Sequence, residues 1–110
     1  MTNILEITDT SFDKTIKEAE SPVLMVFYAP WCGHCKNQAP IIEELSRLMN
    51  DELIIGRINI DDNQRKALEY SITGVPAFLV FKDGTVVDHV AGAHRLAELK
   101  KLVEKYVWVI

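Results

Sequence analysis

Apolar and polar positions alternate from Asn3 to Ile7, the period-two pattern of a short, half-buried strand. Thr10 and Asp13 resemble a helix-starting capping pair, and Phe12, Ile16 and Ala19 then share one helical face until Ser21-Pro22 breaks the pattern. From Val23 to Ala29 the chain is continuously apolar and rich in β-branched and aromatic residues, which predicts a central strand buried on both faces. A long helix follows and runs to about Asn50. Along it Cys35, Ala39, Ile42, Leu45 and Met49 recur at three- and four-residue spacing and mark an inward face. Pro40 lies well inside this helix, removes one backbone hydrogen bond and predicts a kink.

Leu53 to Ile60 reads as a third strand and Gln64 to Tyr70 as a short helix. Ala77 to Phe81 and Thr85 to Ala91 are two strands joined by Asp83-Gly84, a strong hairpin signal in which Gly84 serves turn geometry alone. Arg95 to about Lys105 is a final amphipathic helix with Leu96, Leu99 and Val103 inward. The order β-α-β-α-β-α-β-β-α defines an α/β fold. Its early crossovers imply parallel strands and its late hairpin an antiparallel pair, so the sheet is mixed, with helices on both faces.

Composition narrows the class. With 110 residues the chain, 1–110, is expected to form one domain with a single core. Sixteen acidic against twelve basic side chains give a net charge of -4, scattered without like-sign runs, which argues against a nucleic-acid surface. No apolar stretch approaches the roughly 20 residues that cross a bilayer. The first thirteen residues lack the basic start and apolar block of a secretory signal. The expectation is a cytoplasmic protein, with a secreted form that has lost its leader as the alternative.

The two cysteines stand three positions apart, in Trp31-Cys32-Gly33-His34-Cys35. A bridge between them closes almost no chain and adds little stability, so the pair is better explained by chemistry. A strand leading into a helix puts Cys32 at the helix N-terminus, where unpaired N–H groups and the positive end of the dipole favour a thiolate, the attacking species in disulfide exchange. Cys35 lies one turn deeper on the same face, within disulfide range and less exposed. Cys32 is therefore the candidate nucleophile and Cys35 the resolving thiol. His34, as an imidazolium, would stabilise the thiolate and make the disulfide a better oxidant; the bland alternative is a solvated histidine on an exposed turn.

Non-redox readings fare worse. Zinc needs about four ligands, and there is no second Cys-x-x-Cys; His89 and His94 fall on a separate strand and turn. Haem attachment needs histidine directly after the second cysteine, where Lys36 stands. A structural pair of thiols leaves the helix-start placement unexplained.

These motifs bring the chain close to a known family. Phe27-Tyr28-Ala29-Pro30-Trp31-Cys32-Gly33-His34-Cys35-Lys36 resembles the active site of protein disulfide isomerase domains, whereas ordinary thioredoxins usually carry proline in place of His34. The rest is similar to a stand-alone member of the thioredoxin family: Ser11-Phe12-Asp13, Pro40, Asn59-Ile60-Asp61, Gly74-Val75-Pro76, Phe81-Lys82-Asp83-Gly84 and Gly92-Ala93. The resemblance implies the thioredoxin fold, a cis bond before Pro76, and pairing of the Val75 backbone with an extended substrate segment. It also implies a shallow groove lined by Trp31, Gly33, Gly74, Val75, Pro76, Gly92 and Ala93; turn geometry alone is the other account of the glycines.

The activity it implies is exchange of the Cys32/Cys35 dithiol with protein disulfides, as a reductase. No metal or organic cofactor is needed, because the electrons reside in the cysteines, and recharging would come from a thioredoxin-reductase-like flavoprotein. A monomer is expected. A more oxidising oxidase or isomerase is the alternative within the enzyme class, and a redox-silent peptide-binding module the alternative outside it.

One departure stands out. Much of the family places a buried carboxylate six residues before the first cysteine. Here that residue is Val26, and no acid occurs from Pro22 to Pro40. Arg57 occupies the place of a lysine near that acid; it either reaches the cavity behind Cys35 and favours its thiolate, or snorkels to solvent. Asp61 either bonds the Trp31 indole or caps a helix. The apolar end, Tyr106 to Ile110, either packs back on the domain or meets a partner.

Overall fold

The computed structural model describes residues 3–107. It contains β1 (Ile4–Ile7), α1 (Phe12–Glu18), β2 (Val23–Tyr28), α2 (Gly33–Leu48), β3 (Ile54–Asn59), α3 (Gln64–Glu69), β4 (Ala77–Lys82), β5 (Thr85–Ala91) and α4 (Leu96–Val107). Among the described residues five strands form one sheet in the order β1-β3-β2-β4-β5. β1 and β2 run parallel to β3, while β2 with β4 and β4 with β5 are antiparallel. This is the expected mixed sheet, with the continuously apolar β2 at its centre.

The sheet separates two cores. On one side Leu24, Val26, Ile55, Phe78 and Val80 meet Ile42 and Leu45 of α2 and Leu99, Leu102 and Val103 of α4. On the other, Val23, Met25, Phe27, Leu79 and Phe81 meet Phe12 and Ile16 of α1, with Tyr70 and Ile72 alongside. Alternate residues of β2 thus serve opposite cores, as the strand period requires. At the hairpin both Asp83 (φ 53°) and Gly84 (φ 81°) are left-handed, the combination a tight two-residue turn demands.

Three details differ from the sequence expectation. The reciprocal bonds at the start of α1 join Thr8 and Ser11: each backbone N–H donates to the other's hydroxyl, at 3.0 and 3.1 Å. Thr10 and Asp13 do not form that pair, and Asp13 instead accepts from Lys66 at 2.8 Å. On α2 the buried face passes through Gln38 and Ser46, while Ala39 is exposed. Helical spacing alone favoured the apolar alanine, but the turn is set by Cys35 and Ile42, which bring position 38 beneath the neighbouring loop. On α4, Leu102 joins Leu99 and Val103 inside, with Leu96 half-buried. Tyr106 and Val107 pack against the α2/α4 core; Trp108 to Ile110 lie outside the described residues.

Candidate active site

The site is built where β2 hands over to α2. Cys32 is the N-cap of α2 in extended conformation (φ -83°, ψ 113°), and its sulfur accepts the Cys35 backbone N–H at 3.1 Å. The Cys32 sulfur thus serves as the cap that satisfies one of the orphan N–H groups of the first turn. The Cys32 Sγ–H also lies 3.6 Å from the Val75 carbonyl oxygen, to which it donates. Both cysteines are free thiols. Ala29 and the half-buried Tyr28, Ile60 and Val75 pack around them.

The sequence predicted that Cys35 would be the less exposed of the two. Instead they are buried alike, 5% exposed for Cys32 and 8% for Cys35. Cys35 keeps its small exposure because it borders a cavity of about 490 Å³ behind the site. Burial, then the hydrogen bond with Cys32, pushes the Cys35 thiol up to about 11. Cys35 therefore carries its proton at neutral pH and must shed it before it can attack.

The cavity wall includes Val26, Arg57, Glu6, Tyr28 and Pro76 as well as Cys35. Arg57 reaches it and is also half open to solvent, so elements of both sequence readings hold together. Its Nε donates to Glu6 at 2.6 Å, and the guanidinium lies 5.2 Å from the centre of the Tyr28 ring. Tyr28 donates its hydroxyl to the same Glu6 at 2.7 Å; burial, then that bond, raises the phenol to about 12. Acids that the local sequence lacks thus reach the cavity from elsewhere, Glu6 from β1 and Glu43 from α2. The parallel register that places Glu6 opposite Arg57 is a long-range pairing, and no local motif signals it.

The substrate-groove candidates come together in part. The Val75–Pro76 bond is cis. Gly92, left-handed at φ 83°, donates its N–H to the Pro76 carbonyl at 2.8 Å and so joins the two candidate segments. Trp31 is 68% exposed and fixed by its indole N–H, which donates to Asp61 at 3.1 Å. Asp61 therefore takes the first of its two roles, while Asp9 caps α3 by accepting from the backbone of Arg65 and Lys66. Gly33, His34, Gly74 and Ala93 are exposed. Gln38, buried at 2%, was missed by the sequence reading; a polar residue on the cysteine face of α2 was the available signal.

A dithiol at a helix start, facing a cis-proline loop on a βαβαβαββα sheet, defines a thiol–disulfide oxidoreductase. Comparison with known proteins makes the assignment specific. Residues 3–105 match the family model described as Thioredoxin. The thioredoxin of Bacillus subtilis is 42% identical over 104 residues, covering 94% of this chain and 98% of that protein. Thioredoxin 1 of Synechococcus elongatus is 36% identical over 101 residues, covering 92% and 94%. The solved structure of a mutant thioredoxin from Halobacterium salinarum superposes with a TM-score of 0.89 at 32% identity, covering 98% of this chain and 94% of the other. The chain belongs to the thioredoxin family, and Cys32 and Cys35 are its redox-active Cys-x-x-Cys pair.

Proposed function

We propose that the chain is a single-domain, monomeric protein-disulfide reductase of the cytoplasm, recharged by a thioredoxin-reductase-like flavoprotein. The observation that carries the reading is the position of Cys32 as N-cap of α2, with its sulfur bonded to the Cys35 N–H. Among the described residues no helix is long and apolar enough to cross a membrane. The Cys32 thiolate attacks a substrate disulfide, forms a mixed disulfide and expels one substrate thiolate, which takes a proton. Cys35 then loses its proton and attacks Cys32 Sγ, the mixed disulfide breaks, and the second substrate thiol leaves. Two electrons have passed to the substrate, and the protein holds a Cys32–Cys35 disulfide.

In this reading Trp31, Gly33, Gly74, Val75, Pro76, Gly92 and Ala93 form the groove, with the Val75 backbone pairing to the substrate strand. The Val75 carbonyl already faces the Cys32 sulfur, which suits a substrate disulfide presented along that edge. Arg57 tunes the cavity behind Cys35. Insulin reduction with dithiothreitol tests the function: the wild type accelerates precipitation and Cys32→Ser does not. Equal rates for the two would remove the reading.

The isomerase-like Cys-Gly-His-Cys run supports a second reading, a more oxidising protein. His34 is exposed beside the cysteines, where an imidazolium stabilises the thiolate and hence the reduced form. Reference potentials are about -270 mV for thioredoxin and about -180 mV for protein disulfide isomerase, and a value between them is expected. Equilibration against glutathione measures it. A result at the thioredoxin value means that His34 contributes little.

A further inference from the structure

Gln38 has the geometry of a clamp. It lies on α2 one turn beyond Cys35 and is 2% exposed. Its side-chain amide makes both hydrogen bonds available with one backbone unit: Nε2 donates to the His94 carbonyl at 2.8 Å, and Oε1 accepts the His94 N–H at 3.0 Å. A primary amide used this way copies the pairing of a neighbouring strand, because it carries a donor and an acceptor side by side on one planar, uncharged group. The His94 ring seals the contact, 6.1 Å edge-to-face from Phe78 of the core. The segment is tied at its other end too, where Gly92 N–H meets the Pro76 carbonyl at 2.8 Å. Between these two anchors stands Ala93.

We propose that Gln38 is a positioning residue for protein-disulfide recognition, holding Ala93 and the Gly92 edge of the groove at a set distance from the helix that carries both cysteines. The inference rests on the reading of Gly92 and Ala93 as groove wall. Gln38 takes no part in thiol chemistry: its amide bonds the His94 backbone, and neither cysteine sulfur is among its hydrogen-bond partners. Its loss leaves the loop end held by the His94 ring alone, through its 3.0 Å contact with the Ala91 carbonyl and its packing on Phe78. A protein substrate must then order the loosened backbone on binding, whereas a small disulfide does not need that wall. The effect belongs in KM for protein substrates.

Three variants separate this from a structural role. Gln38→Leu keeps the volume and removes both bonds; Gln38→Glu keeps the acceptor for His94 N–H and removes the donor; Gln38→Ala opens a cavity as a packing control. The expected result for Gln38→Leu is a KM for insulin raised about five-fold, with kcat and the rate with oxidised glutathione within about two-fold of wild type. Amide exchange at His94 speeds up at least about ten-fold, and Gln38→Glu recovers part of both the exchange protection and the KM. Unchanged KM and unchanged His94 exchange in Gln38→Leu overturn the proposal. So does an equal loss on insulin and on glutathione, which marks general distortion of the site. If the wild type itself fails to reduce insulin while His94 exchange responds as stated, the functional reading fails and the clamp survives as a structural contact only.

Discussion

Val26 stands beside Arg57 in the parallel register of β2 and β3, and the charge of Arg57 is directed away from it to Glu6 on the far strand. An aspartate at position 26 would share a cavity wall with Cys35 and Arg57. Val26→Asp is expected to accelerate mixed-disulfide breakdown at least about ten-fold by accepting the Cys35 proton, a modest share of the roughly hundred-fold or more that a well-positioned base supplies. Placing a carboxyl at a 5% exposed site is expected to cost about 1–3 kcal/mol of stability. Stopped-flow kinetics and urea unfolding read the two effects. No acceleration counts against the idea that the resolving step lacks a base.

The Cys35 thiol, raised by burial to about 11 from an ordinary 9, predicts a pH dependence. The attacking thiolate is scarce at neutral pH, so resolution should quicken steadily as pH rises and level off near the folded value. Stability moves the other way. The folded state holds this proton more tightly than the unfolded chain does, so the contribution is fully present below the unfolded value and is lost as pH rises through about 11. Urea unfolding of the reduced protein at rising alkaline pH, from the ordinary thiol value toward the raised one, should show a decline that Cys35→Ala lacks.

Gly56 is required by packing. A Cβ there would lie 2.8 Å from Ile7 Cγ1 and 3.1 Å from Met25 Sδ. Both neighbours are core residues, 3% and 0% exposed, so Gly56→Ala should cost about 1–3 kcal/mol through forced displacement. Thermal melts check this, with Gly33→Ala as the contrast in folding, since its Cβ meets nothing within 4 Å. Equal melting shifts for the two would be the contrary result.

Lys66 is 3% exposed and bonds Asp13 and Glu69, each at 2.8 Å. Burial alone lowers its affinity for a proton, but the two carboxylates outweigh burial and raise it. Removing both acids while keeping the lysine should destabilise the fold by about 3 kcal/mol, because a buried charge is left alone. Lys66→Met fills the same space without charge and should stay within about 1 kcal/mol of wild type. Denaturant midpoints distinguish the pair.

The linear order of elements was legible because each carries its own period: continuous apolar residues in β2, helical spacing in α2 and α4, Asp83-Gly84 at the hairpin. Cys32 and Cys35 were legible too, as a spacing that makes sense as chemistry, and the cis bond before Pro76 and the Trp31–Asp61 contact were legible through their motifs. What the sequence could not show is which distant groups meet. Asp9 caps α3 from 56 residues away, and Glu6 finds Arg57 and Tyr28 only through strand register. Gln38 displaced Ala39 from the buried face because a loop 56 residues later supplied its two hydrogen-bond partners. Local propensity and periodicity are properties of neighbouring residues, so they survive in the linear chain. Satisfying a buried polar group depends on long-range register, and that exists only once the sheet has closed.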